Sequence, residues 1–252
     1  MNGLLQEYIP GQVGKYADDF EVRAFGDNIQ KWGTSTILIE SGGLKNDTEK
    51  QEIRKLNYTI ILASLFSISN MSYNDNNLGF YDSIPENERM LMDLKITGLT
   101  YNLMGKKYIL DLGINQIELE DPAKNSFYYS GEIVDRGDLR TSFGYENLDA
   151  SGYEFVLPKV SPVSYSMEDL KSLDFHSFLK SGYAFIKVKN LPAEKYIHYP
   201  VNLVSGNFKS PKGITSNFFL SKAGNLEYAI INGFLINLKD KELKIKNALI
   251  RK

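Results

Sequence analysis

From about residue 90 onward the chain breaks into short runs in which apolar and polar side chains alternate, and this pattern constrains the fold more than any other feature. The runs "LMDLKITGLTY", "KKYILDLGINQIELE", "SFYYSGEIVDRG" and "YEFVLPKVSPVSY" are separated by Gly, Asn, Asp or Pro. A period of two with such punctuation predicts antiparallel strands, each covered on one face. The clearest case is "NLEYAII-NG-FLINL", where Asn232-Gly233 stands between two apolar runs and predicts a two-residue hairpin turn. "KELKIKNAL" adds a further strand. One helix is expected near "SMEDLKSLDFHSFLKSG", capped by Ser166 and turning Leu170, Leu173 and Phe178 inward. No internal repeat or low-complexity tract is read in the chain.

The first part differs. Residues 1–9 read as the tail of a helix that "IPGQVG" breaks with Pro10, Gly11 and Gly14. Residues 16–33 mix aromatics, charges and glycines without a period and read as an ordered loop. "TSTILIE", residues 34–40, is β-branched and apolar throughout, the signature of a strand buried on both faces. Asn46, Asp47 and Thr48 offer cap oxygens, with Glu49 and Gln51 as reciprocal partners. Ile53, Leu56, Ile60 and Ala63 then recur at helical spacing, predicting a helix from about 48 to 68. The fold class expected is an α/β fragment, a partial mixed sheet with helices, followed by a β-rich, mostly antiparallel module with one helix. The domains expected are 1–75 and 90–252, with the boundary between 70 and 92.

Composition narrows the function classes. The 29 basic and 31 acidic residues leave a net charge of −2, which points to neither nucleic acid nor an anionic membrane surface as partner. Cysteine is absent, so neither a disulfide framework nor a thiolate site is available, and two histidines cannot build an imidazole-rich zinc site alone. The longest apolar stretch, "TIILASLF", falls far short of the roughly 20 residues a spanning helix needs. "MNGLLQEYIP" lacks a basic region followed by a long apolar one, so no secretory signal is read there, and the compartment stays open.

"GTSTILIESGG", residues 33–43, places one carboxylate, Glu40, at the end of the buried-type run and two glycines directly after it. Reactive groups in open α/β sheets gather beyond the carboxyl ends of strands, and Gly42-Gly43 lets the chain turn away. Shielded in part by Trp32, such a carboxylate suits a general base. The competing reading is a solvated terminal residue or a helix-cap partner.

The stretch from residue 9 to 68, "IPGQVGKYADDFEVRAFGDNIQKWGTSTILIESGGLKNDTEKQEIRKLNYTIILASLFSI", resembles the C-terminal part of the catalytic domain of zinc carboxypeptidases, the funnelins. In that family a glutamate ends a central strand, follows a glycine-containing loop and precedes the last long helix. Glu40, the loop from Gly26 to Gly33 and the helix from about 48 match that order. The resemblance implies hydrolysis of a peptide bond with Glu40 as general base and acid for a zinc-bound water, and a peptide as substrate. It also implies a mobile tyrosine and a specificity pocket ahead of the glutamate, where Tyr16 and the segment Arg23 to Gln30 lie. Phe20 stands nearly as well placed as Tyr16. Arg23 and Asp27 either bind substrate or pair with each other.

The family's zinc ligands, an H-x-x-E pair and a later histidine, precede the glutamate. No histidine precedes Glu40 here, since His176 and His198 lie far downstream; the family's substrate-holding arginines also come earlier, and only Arg23 precedes Glu40 here. The expectation is therefore a truncated reading frame without a metal site of its own, Met1 being an internal methionine of a longer protein, and no activity from this chain alone. The alternative is a non-catalytic peptide- or glycan-binding protein using its 16 Tyr and 14 Phe. A glycoside hydrolase would need a second carboxyl roughly 5–9.5 Å from Glu40, which no motif supplies. Glu132, Asp135 and Asp138 in "GEIVDRGDLR" read as a charged turn rather than a calcium loop, because EF-hand spacing is missing.

Overall fold

The computed structural model describes residues 1–16, 19–47 and 49–251, and the chain divides into two compact units, 1–90 and 91–252. The molecule is mostly β, with 37% of residues in strands against 22% in helices.

The first unit carries four helices among its described residues: α1 (Asn2–Tyr8), α2 (Phe25–Lys31), α3 (Gln51–Ser69) and the single turn α4 (Gly79–Asp82). Here α2 replaces the expected loop. Asn28 donates its amide to the carbonyls of Val22 and Ala24, while Asp27 in the first turn and Lys31 in the last complement the helix dipole. Residues 34–40, expected as a strand, run without strand pairing. Their composition suits a doubly covered strand, but a strand exists only when neighbours take up its N–H and C=O groups. In this unit the described β pairing is a single bridge, Lys15 to Glu86. Of the expected caps for α3, Thr48 lies outside the described residues and Asp47 does the work. Its carboxylate accepts from the amides of Gln51 at 2.8 Å, Glu52 at 3.2 Å and Ile53 at 2.9 Å. These are orphan donors of the first turn. Ile53, Leu56 and Ile60 turn inward as read, whereas Ala63 is exposed.

The second unit holds two sheets. The strands are β1 (Leu91–Leu103), β2 (Lys106–Asp121), β3 (Ser126–Gly137), β4 (Phe143–Asp149), β5 (Glu154–Val156), β6 (Lys159–Tyr165), β7 (Tyr183–Val188), β8 (Tyr196–Ile197), β9 (Asn202–Val204), β10 (Phe218–Lys222), β11 (Asn225–Ile231), β12 (Phe234–Asn237) and β13 (Ala248–Arg251). Eight form the order β12-β11-β10-β5-β1-β2-β3, with β4 also paired to β1; five form β6-β7-β9-β13-β8. The larger sheet is mainly antiparallel, as the alternating runs required. In the smaller sheet β6, β7, β9 and β13 run parallel. The expected helix splits into a 3-10 turn at Asp169–Ser172 and α5 (Phe175–Lys180). Ser166 and Asp169 cap each other reciprocally at that 3-10 turn, and Asp174 caps α5.

Strands β10 and β11 read "NFFL" and "YAII" because both of their faces are covered. Phe218, Leu220 and Ile230 join a core with Leu94, Ile96, Leu99, Leu112 and Ile114 from β1 and β2. Their neighbours Phe219, Ala229 and Ile231 join a second core with Phe185, Ile186 and Leu203 from the smaller sheet, closed by Leu170 and Leu179. Asn232-Gly233 forms the expected hairpin, with φ of 51° and 79°. The same conformation recurs at Met104-Gly105 and Ala223-Gly224, whose first residues bear side chains that resist it.

Polar side chains join the two sheets. Asn202, Asn217, Asn232 and Asn247 are all buried and recur every 15 residues. Asn217 Oδ1 accepts from Asn202 Nδ2 at 2.7 Å and from the amide of Asn232 at 2.8 Å. Asn232 Nδ2 reaches the carbonyl of Asn247 at 3.1 Å, and the amide of Leu249 reaches Asn202 Oδ1 at 2.9 Å. On the β3 side, Asn247 Oδ1 accepts from the amide of Tyr129, and Asn232 Oδ1 from that of Gly131, both at 2.8 Å. Each residue sits where a strand starts or turns, so its side chain takes up main-chain groups that no ladder reaches.

Candidate functional site

Glu40 lies on a segment outside any helix or strand, and its side chain is exposed. The shielding expected from Trp32 is missing, since that indole is 71% exposed, and Ile37 and Leu38 beside Glu40 are exposed as well. Tyr16 is exposed. Arg23 pairs with Glu21, Nε to Oε1 at 3.3 Å, rather than with Asp27. Asp27 accepts from the amide of Glu21 at 2.7 Å. Both contacts are local, spanning 2 and 6 residues, so Arg23 and Asp27 shape the entry to α2. All four residues belong to the first unit.

The zinc that the family resemblance implies does not fit the described residues, among which no group of three His, Cys, Asp or Glu side chains is placed to hold an ion. The two imidazoles are engaged by main chain instead: His176 Nε2 lies 2.7 Å from the carbonyl of Asp240, and His198 Nδ1 lies 2.8 Å from that of Lys246. In the charged turn Asp138 pairs with Arg140 at 2.8 Å, and that contact holds its carboxyl below the usual range; Asp135 accepts from the amide of Arg136. Among the described residues no helix is long and apolar enough to cross a membrane.

The aromatics of the second unit largely pack on one another. Phe155 stacks on Phe218 with centroids 4.9 Å apart, and Phe185 meets Phe208 at 5.0 Å. Tyr128 stacks on Tyr196 at 5.1 Å and 9° at the edge of a cleft of about 450 Å³. That cleft is also lined by Leu119, Ser130, Lys195, Ile250 and Arg251. Arg251, at the end of β13, is partly buried. Its Nε is fully covered yet meets no hydrogen-bond partner, and burial pulls the guanidinium pKa below its ordinary value. Sequence reading passed over this residue; its only signal is a cation closing the apolar run "NALIR".

No protein-family model matches the chain, and no curated protein does. Among solved structures, the crystal structure of an N-acyl-D-glutamate deacylase from Bordetella bronchiseptica, complexed with zinc and a phosphonate inhibitor, is 22% identical. The likeness covers 40% of this chain and 19% of that one, at a TM-score of 0.27. The chain thus spans about a fifth of that protein's length, and a likeness at this score lends nothing to the functional reading.

Proposed function

We propose that residues 9–68 belong to a zinc-carboxypeptidase-like catalytic domain in which Glu40 is general base and acid for peptide-bond hydrolysis, with the metal ligands supplied by polypeptide outside this chain. One observation supports this reading: many large apolar residues of the segment have no cover. Helix α3 is 19 residues long and buries only Ile60, leaving Tyr58, Leu62, Leu65 and Phe66 at the surface, and Ile37 and Leu38 are equally uncovered. A helix apolar on several sides beside a run of strand composition belongs inside a layered α/β domain. Exposed large apolar side chains in this number mark a place where more polypeptide packs. Glu40 sits at the end of that run, so the same packing that covers Ile37 and Leu38 would also enclose its carboxylate.

The test is expression of the reading frame extended upstream of Met1. The extended protein is expected to retain zinc through dialysis and to release C-terminal residues from peptides. Glu40→Gln should keep the zinc while slowing release by about 100- to 10,000-fold, the usual worth of a positioned acid–base group. Unchanged turnover in Glu40→Gln, or release by the present chain alone, overturns the proposal. A stop codon directly upstream of Met1 also overturns it and leaves the non-catalytic peptide- or glycan-binding reading.

A further inference from the structure

We infer that the cleft at the end of β13 binds a small organic carboxylate through Arg251, independently of the catalytic reading of the first unit. Arginine presents a planar fork of donors that matches a carboxylate in bidentate fashion. Among the described residues Arg251 makes no ion pair, and its buried Nε has no acceptor. A buried donor without a partner is rare in a folded protein and calls for an explanation. The cleft of about 450 Å³ offers one, because Arg251 is only partly buried and lines it, so a ligand there meets the guanidinium beside its covered Nε.

The other lining residues narrow the ligand. Lys195 adds a second cation, its ammonium 6.0 Å from the Tyr128 ring centroid. Glu194, exposed on the same rim, offsets one of the two charges. A net of one positive charge suits a monoanion better than a phosphate dianion. Leu119, Ile250 and the Tyr128 ring form apolar walls, and Ser130 adds a hydroxyl. Such walls suit an acid with an apolar body, since small-ligand sites combine apolar surface with few, well-placed polar groups.

Titration of the full chain with benzoate, benzamide and inorganic phosphate, read by calorimetry and by the ¹⁵N resonance of the Arg251 Nε–H, tests this. Benzoate is expected to bind and to shift that resonance. Benzamide, the neutral isostere, and phosphate are expected to bind at least about tenfold more weakly. Arg251→Met should abolish benzoate binding without lowering Tm, because it replaces an unpaired cation with an apolar chain of similar volume. If Arg251→Met fails to fold, the wild-type resonance still decides. A resonance unmoved by benzoate, equal affinity for benzoate and benzamide, phosphate binding as tight as benzoate, or full benzoate binding by Arg251→Met overturns the inference.

Discussion

The side-chain amide of Asn232 donates to the main-chain carbonyl of Tyr129 at 2.8 Å, across 103 residues of sequence. Asn247 Nδ2 reaches the same carbonyl at 2.9 Å. The hairpin turn between β11 and β12 is thereby tied to β3, and the asparagines of both sheets become one network. Replacing Asn232 with Ala strips the Gly131 amide of its acceptor in a buried setting. The expected loss is about 2–3 kcal/mol by urea unfolding, the size of an orphaned buried donor together with the other bonds lost. A loss below about 0.5 kcal/mol would show that water replaces the side chain.

Gly131 is where β3 passes closest to that turn. A Cβ there would meet the main chain of Asn232 and Gly233, which cannot swing aside as a side-chain tip can. Gly131→Ala is expected to cost about 3 kcal/mol or to abolish folding, as overpacking against backbone does. Gly152→Ala tests a different cost: nothing lies near its would-be Cβ, so only its φ of +81° opposes the change. Thermal melts should rank Gly131→Ala as the more damaging of the two.

Asp47 couples helix α3 to pH. Burial pushes its carboxyl up, but the amides of Ile53, Glu52 and Gln51 together with Arg54 outweigh it and leave the pKa below its ordinary value. A carboxyl depressed in the folded state contributes stability above its unfolded pKa and loses it as pH falls through the folded one. Protection of the first-turn amides of α3 against hydrogen exchange, relative to the intrinsic rate at each pH, is therefore expected to fall below the ordinary aspartate range. Asp47→Asn should keep part of the cap and remove most of that pH dependence, while Asp47→Ala should fray the turn at every pH.

Tyr153 and Glu227 provide a probe at the alkaline end. Tyr153 Oη donates to Glu227 Oε2 at 2.8 Å, and Glu227 also pairs with Lys239 at 2.9 Å. The hydrogen bond to the carboxylate, followed by desolvation, pushes the Tyr153 phenol from 10.0 up to about 12. A raised phenol pKa contributes stability that is complete below pH 10 and fades as pH climbs through about 12. Ultraviolet titration should find Tyr153 ionising at about 12, in addition to Tyr129, whose phenol burial also raises. Glu227→Gln should return Tyr153 toward the ordinary value, and an unmoved phenol would mean that the carboxylate is not the cause.

Local chemistry was legible where one residue type has one conformational use. Asn232-Gly233 announced its turn because few residues accept positive φ, and the runs of β1, β2 and β3 announced themselves by alternation. Met104-Gly105 and Ala223-Gly224 make the same turn unannounced, because Met and Ala carry no preference for it and register alone imposes it. The asparagine spacing stands in the sequence without marking a repeat: the stretches around each Asn differ, and only the Asn side chains converge. In the first unit, Asp47 was identified as a cap, but "TSTILIE" was not delivered as a strand, because composition cannot supply a hydrogen-bonding neighbour. Glu40 failed to gain its enclosure for the same reason.

By itself the sequence determined what lies within reach of a few residues. That covers Asp47 as a cap at the start of α3, the alternation of the larger sheet, the hairpin at Asn232, and the lack of thiols and of enough histidine for an imidazole-rich zinc site. These depend on torsional preference and on side-chain chemistry, which short stretches of chain express. Tertiary structure alone decided that β6, β7, β9 and β13 run parallel, that four asparagines 15 residues apart meet, and that the Arg251 Nε ends covered without a partner among the described residues. Those outcomes depend on which distant groups are brought together, and burial and hydrogen bonding have no values until that happens.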